Sequence, residues 1–208
     1  MARNEKLFNA IIEGKKDTAV AAVREAVDAK QNIEEVLEGS MIPAMKEIGD
    51  RFSRNEAFVP EMLMAARAMQ AGLALIEPIL NASGHQPLGR VCIGTVKGDL
   101  HDIGKNLVAI MLKGAGYDVT DLGVDCDAES YYKAVREGAQ AVLLSSLLTT
   151  TMSYMKTVVE KLAEFPNVKV IIGGAPVTKE YADSIGAHGY AADAGGAVSV
   201  VSACLGLA

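Results

Sequence analysis

Through residues 1–82 the apolar positions recur at intervals of three and four, the spacing that gathers them on one face of a helix. Asn4 is placed to cap a short first helix, and Asp17 a second whose apolar face would be Val20, Val23 and Val27. Asn32, with Glu35 three residues on, has the form of a capping box. The helix it opens carries Ile33, Leu37, Met41, Met45, Ile48 and Phe52. Pro43 falls inside that helix, where its missing N–H and its ring predict a kink. A fourth helix starts near Pro60 and carries Met62, Ala66, Met69, Leu73, Ile76 and Leu80. With no strand pattern between them, these segments predict a helical bundle over residues 1–83.

Ser83-Gly-His-Gln-Pro-Leu-Gly89 breaks the rhythm, so residues 84–89 are read as a linker. Beyond it, over 90–208, short apolar runs alternate with helical segments. The strands fall at Val91–Thr95, Tyr117–Leu122, Ala141–Leu144, Val168–Ile172 and Gly189–Ala191. The helices fall near 105–114, 128–137, 151–164, 178–185 and 196–206. This β-α alternation, with strands too uniformly apolar to have a solvent face, predicts a doubly wound parallel sheet. The fold class is thus α + α/β: a helical bundle followed by a Rossmann-like, flavodoxin-like sheet domain.

Composition narrows the function. Half of the 208 residues are apolar, enough for a substantial core, and the formal charge of −6 argues against nucleic acid as a partner. Cys92, Cys126 and Cys204 are odd in number, far apart and without zinc-ligand spacing, which points to a reducing cytoplasm. The opening Met-Ala-Arg-Asn-Glu-Lys leads into no signal-like segment. The uncharged tail Ala194–Ala208 is too short and glycine-rich to span a membrane and is expected as a helix against the sheet.

The chemistry concentrates in Gly94-Thr-Val-Lys-Gly-Asp-Leu-His-Asp-Ile-Gly-Lys-Asn106, between the first strand of the sheet and its helix. Open α/β sheets bind ligands on such loops. An Asp two residues before a His can hold one ring nitrogen and leave the other for a metal, as Asp99 and His101 could. Two more loops should meet this one at the carboxyl ends of the strands: Ser145-Ser-Leu-Leu-Thr-Thr-Thr151 and Gly173-Gly-Ala-Pro176. Each has a plainer reading alone. Thr149 or Thr150 would serve as a helix cap, and Gly173-Gly174 as a turn. A phosphate-binding Rossmann variant would be the default, but no GxGxxG is present.

Taken together, Asp99-x-His101-x-x-Gly104, then Ser145-x-Leu147, then Gly173-Gly174 resemble, in order and spacing, the signature of cobalamin-binding domains. The helical half resembles the cap bundle of methionine synthase. The length resembles that of the small corrinoid proteins of anaerobic methyltransferase systems. The resemblance implies that His101 is the lower ligand to cobalt, with Asp99 and Thr151 completing a His-Asp-hydroxyl relay in which the synthase has Ser at the position of Thr151. It implies cofactor contacts from Gly98, Asp102, Ile103, Gly104, Ser145, Leu147, Thr149, Gly173 and Gly174, and from Tyr190 and Ala191 near the end. Glu56-Ala-Phe-Val-Pro-Glu-Met62 resembles the segment that lays an aromatic over the upper corrin face, making Phe58 the shielding residue; ordinary bundle core is its alternative. His188 reads as structural.

The implied function is a methyl carrier in one-carbon metabolism. Cobalamin bound base-off and His-on would accept a methyl group on Co(I) from a substrate methyltransferase. A second methyltransferase would deliver it to tetrahydrofolate or a thiol, and a reductive activator would rescue oxidised cobalt. The chain is not expected to turn over alone. Rival readings are a cobalamin-dependent sensor and the small cobalamin-binding subunit of an isomerase. The methyl donor is left open among methanol, methylamines, quaternary amines and aryl methyl ethers.

Overall fold

The computed structural model describes Arg3–Leu207; Met1, Ala2 and the last residue of the apolar tail, Ala208, lie outside the described residues. The chain divides into two compact units, one of Met1–Pro87 with Gly114–Gly116, the other of Leu88–Lys113 with Tyr117–Ala208.

The first unit is helical. Helix α1 (Glu5–Ile12) is capped by Asn4, whose Oδ1 accepts the Leu7 N–H at 3.0 Å. Helix α2 (Lys16–Asp28) starts after Lys15, so Asp17 lies in the first turn instead of at the cap. Its charge suits the positive end of the helix there. The buried seam of α2 is Ala19, Ala22, Val23 and Ala26, with Val20 and Val27 on its flanks. Small residues win because α5 (Val59–Ser83) passes close: a Cβ added at Gly72 of α5 would lie 3.2 Å from Val23 Cγ2.

Asn32 Oδ1 accepts the N–H groups of Glu34 and Glu35, opening α3 (Ile33–Val36). The kink expected at Pro43 takes the form of a widened π turn, Leu37–Met41, ahead of α4 (Ile42–Ser53). Pro43 cannot donate to Gly39, and the Ile42 N–H reaches back five residues to the Leu37 carbonyl. The bulge turns Ser40 inward, where its Oγ accepts the Asn4 N–H at 2.8 Å. Helix α5 opens with the Phe58 N–H on Glu61 Oε2 at 2.7 Å and closes at Gly84, which takes φ +79°. By length and composition α5 could cross a membrane, yet Met62, Ala66, Met69, Gly72, Ile76 and Leu80 are spent on the bundle core.

The second unit holds five parallel strands: β1 (Arg90–Thr95), β2 (Asp118–Asp121), β3 (Ala141–Ser145), β4 (Lys169–Gly173) and β5 (Gly189–Ala191), in the order β2-β1-β3-β4-β5. Helices α6 (Ile103–Gly114), α7 (Ala128–Arg136), α8 (Thr149–Met152), α9 (Tyr154–Leu162), α10 (Lys179–Ile185) and α11 (Ala194–Leu205) connect and follow them. This is the doubly wound sheet expected. The one helix expected over 151–164 is two, broken at Ser153 and beginning at Thr149. Register pairs Thr95 with Ser145 and Ser145 with Gly173, so three strands end level and their loops emerge side by side. The order reverses between β1 and β3, the switch point at which such sheets open a crevice.

Tyr131 of α7 is fully buried, with its hydroxyl over Gly94 of β1. A Cβ at Gly94 would lie 2.7 Å from that hydroxyl and 3.0 Å from Cys126 Sγ. Gly94→Ala should therefore destabilise the apoprotein by about 1–3 kcal/mol through overpacking. Among the described residues the Tyr131 hydroxyl has only the weakly bonding Cys126 thiol beside it and no hydrogen bond of good geometry, so Tyr131→Phe should cost less than about 1 kcal/mol. Combining the two should recover part of the Gly94→Ala loss in urea unfolding; strict additivity would show that the clash lies elsewhere.

Candidate functional site

The loop from β1 to α6 is built around Asp99, a carboxylate with no exposed surface. Its Oδ1 accepts the backbone N–H of His101 at 3.0 Å and the ring Nδ1–H of the same residue at 2.7 Å. Its Oδ2 accepts the Leu147 N–H at 2.8 Å, the Leu148 N–H at 3.3 Å and the Thr151 hydroxyl at 2.9 Å. One buried group thus ties the loop after β1 to the loop after β3. With Nδ1 committed to a carboxylate, the His101 tautomer is settled and Nε2 is the nitrogen left to act as a donor pair. The His101 side chain is 51 % exposed, against none for Asp99, so the ring stands out of the loop on a fixed base.

Burial pushes the Asp99 carboxyl up, but the amides of His101 and Leu147, the His101 ring and the Thr151 hydroxyl outweigh it and hold the group well below the usual carboxylate range. The unfolded chain takes up a proton here near 3.8 and the folded chain only at lower pH. This contribution to stability is therefore complete above about pH 4 and lost progressively below it. Acid unfolding followed by circular dichroism should show Asp99→Asn with a shallower loss below pH 4 than the parent. An identical slope would mean that Asp99 is not a source of the acid sensitivity.

The loop after β2 braces the same segment. Asp125 adopts φ +54°, a left-handed conformation that few residues other than glycine take up. There its N–H donates to the Asp99 carbonyl at 3.0 Å and its Oδ1 accepts the Gly98 N–H at 2.7 Å. Gly98 itself turns at φ +85°. The Thr95 hydroxyl donates to the His101 carbonyl at 2.8 Å. Lys105, buried at the start of α6, donates to both Asp121 oxygens and to Asn106 Oδ1 at 2.7 Å each, anchoring the helix to the end of β2.

The loops at this end of the sheet expose apolar side chains beside polar ones such as Asp102 and Thr149. Leu100, Val124, Leu147 and Leu148 are exposed on these loops, and Ile103 is exposed at the first position of α6. Exposed apolar side chains on the loops beside one outward imidazole suit a large flat macrocycle carrying a metal. Asp102 and Gly104 lie on the same exposed segment; Asp102 accepts from the Asn106 side chain, and a Cβ at Gly104 would meet nothing within 4 Å.

The other candidates divide. Ser145 ends β3 level with Thr95 and Gly173, and its side chain takes no part in the Asp99 network. Thr149 is the exposed first residue of α8, whose cap position is held by Leu148, so neither Thr149 nor Thr150 is the cap. Thr151 does reach Asp99, so its hydroxyl extends the His101–Asp99 hydrogen-bond chain. Gly173 and Gly174 are glycine for a reason internal to the fold. A Cβ at Gly174, at φ +128°, would overlap the Ser146 carbonyl oxygen, and one at Gly173 would lie 2.8 Å from the Ala191 carbonyl. Tyr190 and Ala191 pair with Ile172 and Gly173 and are half-buried. His188 Nδ1 accepts the Val170 N–H at 3.1 Å, a structural part. Phe58 is 63 % exposed at the start of α5, which excludes it from the bundle core; it belongs to the other unit. Ser146, 1 % exposed and bonded into the Asp99 network, was not singled out by the sequence; the Ser-x-Leu motif drew attention to its neighbour.

The B12 binding domain family matches residues 89–199, and a second B12 binding domain family matches residues 3–77. The chain belongs to the corrinoid proteins built from B12-binding domains. A corrinoid protein of Desulfitobacterium hafniense is 37 % identical over 213 residues, covering 99 % of each chain. The dimethylamine corrinoid protein of Methanosarcina barkeri is 42 % identical over 203 residues, covering 94 % of this chain and 93 % of its own. Among solved structures, a chain of the methanol:cobalamin methyltransferase complex from Methanosarcina barkeri superposes with a TM-score of 0.85 at 28 % identity, over 97 % of this chain and 78 % of that one. Cobalamin or a related corrinoid is accordingly the cofactor of this protein, and the outward imidazole beside exposed apolar side chains suits that cofactor.

Proposed function

We propose that this chain is a corrinoid methyl carrier, loaded by a methyltransferase specific for a methylated amine and unloaded by a second methyltransferase to tetrahydrofolate or a thiol. The observation that carries the proposal is the buried Asp99 holding the Nδ1–H of a half-exposed His101 at 2.7 Å, which leaves Nε2 to serve as the lower ligand. Bound cobalamin supplies a cobalt centre able to take up a methyl group and release it. The protein's own residues do the rest. Asp99 keeps the proton on Nδ1 and orients the ring, as carboxylates do behind metal-bound imidazoles. Thr151 and the amides of Leu147 and Leu148 keep Asp99 ionised. Leu100, Ile103, Leu147 and Leu148 exclude water from around the imidazole.

A methylated amine is favoured as the donor class because the relative named for dimethylamine is matched along nearly its whole length. A reductive activator and a cytoplasmic setting complete the proposal; the three free cysteines accord with the latter. The test is reconstitution. Protein reduced and loaded with cobalamin is incubated with mono-, di- or trimethylamine and a methyltransferase specific for that amine, and methylation is followed by the visible spectrum. Methylation that needs both the amine and the second protein supports the carrier role. Failure with every methylated amine but success with methanol moves the donor class; failure with all donors, together with release of the cofactor, removes the carrier role.

A further inference from the structure

The resemblance ends the relay at Thr151, but the hydrogen bonds continue. The Thr151 hydroxyl has one proton and two backbone or carboxylate acceptors in reach, Asp99 Oδ2 at 2.9 Å and the Leu148 carbonyl at 3.1 Å. Ser146 Oγ lies 2.8 Å from Thr151 Oγ1, 3.1 Å from the Leu148 carbonyl and 3.3 Å from Asp99 Oδ2. Two hydroxyl oxygens at 2.8 Å must have a proton between them, so one donates to the other. Two arrangements satisfy this. In the first, Ser146 donates to Thr151 and Thr151 to Asp99. In the second, Thr151 donates to Ser146, and Ser146 to the Leu148 carbonyl at 3.1 Å or to Asp99 Oδ2 at 3.3 Å, a longer contact than the 2.9 Å that Thr151 makes with that oxygen. An ionised carboxylate favours the first, because a bond to a charged acceptor is the stronger and a chain of hydroxyls polarises in its direction.

We propose that Ser146 is a positioning residue for the cobalt ligand: by donating to Thr151 it holds the Thr151 proton on Asp99 and so moderates the pull of Asp99 on the His101 Nδ1–H. The proposal rests on His101 being the lower ligand. A carboxylate that is well supplied with donors accepts less strongly from any one of them. Ser146 therefore weakens the imidazole as a ligand, and its removal strengthens it. The rotation of two hydroxyls, with no movement of heavier atoms, is enough to change the supply. Ser146 is placed to do this because its backbone is fixed on both sides: its N–H donates to the Gly173 carbonyl at 3.2 Å, and its own carbonyl fills the space where Gly174 has no side chain.

The test is a double-mutant cycle of Ser146→Ala and Thr151→Val, with unfolding midpoints checked first. In the apoprotein, Ser146→Ala should move the His101 Nδ1–H proton resonance downfield. In the cobalamin-loaded protein it should raise His ligation about three- to ten-fold, the range one modest hydrogen bond carries. At 59 mV per tenfold for one electron, that is a Co(II)/Co(I) midpoint more negative by about 30–60 mV. In the Thr151→Val background both effects should be smaller, because the proton that Ser146 holds in place is gone and only the 3.3 Å contact of Ser146 with Asp99 Oδ2 remains to be lost. Unmoved readings for Ser146→Ala, or equal shifts in both backgrounds, overturn the role. A parent protein whose Co(II) spectrum lacked imidazole coupling would overturn the ligation instead, while the apoprotein resonance would still decide the part played by Ser146.

Discussion

Cobalamin bound to His101→Ala is expected to show no nitrogen coupling from a protein imidazole in its Co(II) spectrum, whereas the parent shows one. Affinity should fall by at least about tenfold and methyl transfer by at least about 100-fold, since even the groups behind a metal ligand are worth 10–100-fold. The fold should survive. Asp99 loses the ring Nδ1–H but keeps the backbone N–H of residue 101, the amides of Leu147 and Leu148 and the Thr151 hydroxyl. Far-ultraviolet dichroism and the unfolding midpoint should stay near those of the parent, which separates loss of a ligand from loss of a structure. Persistent imidazole coupling in the variant would move the ligand role to another residue.

The largest effect on the apoprotein is expected from Gly174→Val. Its Cβ would overlap the Ser146 carbonyl oxygen, and φ +128° is closed to a β-branched residue. Backbone has to shift, and the segment that shifts carries the amides of Leu147 and Leu148 that hold Asp99. A loss of about 4 kcal/mol or more in urea unfolding is expected, with cofactor binding lost alongside. Gly104→Ala is the contrast. Nothing lies within 4 Å of the added carbon, so the apoprotein should be nearly unchanged, and any loss of cobalamin affinity reports the cofactor directly. If Gly174→Val unfolds like the parent, the crowding at Ser146 is relieved by a route the structure does not contain.

Much of this was legible in the chain because the signals were local. Asn4 and Asn32 cap helices through their own side chains, and the β-α rhythm after residue 90 needs only the length and apolar character of each run. The Asp99–His101 pair is local too, two residues apart on one loop. What the sequence did not show depends on neighbours remote along the chain. Ala19, Ala22 and Ala26 displace Val20 and Val27 from the seam of α2 because α5 comes close at Gly72. Gly174 looks like room for a ligand until the carbonyl of Ser146 is found in that room. Ser146 carries no motif of its own, and its importance comes from Thr151 and Asp99 arriving beside it. Asp125 is a similar case: an aspartate in a glycine conformation leaves no mark in the sequence.

The level ending of β1, β3 and β4 has a consequence for the order of events during synthesis. His101 is made early in the sheet domain, but Asp99 gains its amide partners only when β3 has docked, and Ser146 is pinned only when Gly173 of β4 has paired beside it. Parallel pairings of this kind close long loops and form late. A nascent chain that has emerged only as far as α7 therefore carries Asp99 and His101 without the Leu147 and Leu148 amides and the Thr151 hydroxyl that hold the other carboxylate oxygen, so the pair has no fixed base. A chain truncated before β3 is therefore expected to hold the histidine more loosely than the complete sheet domain does.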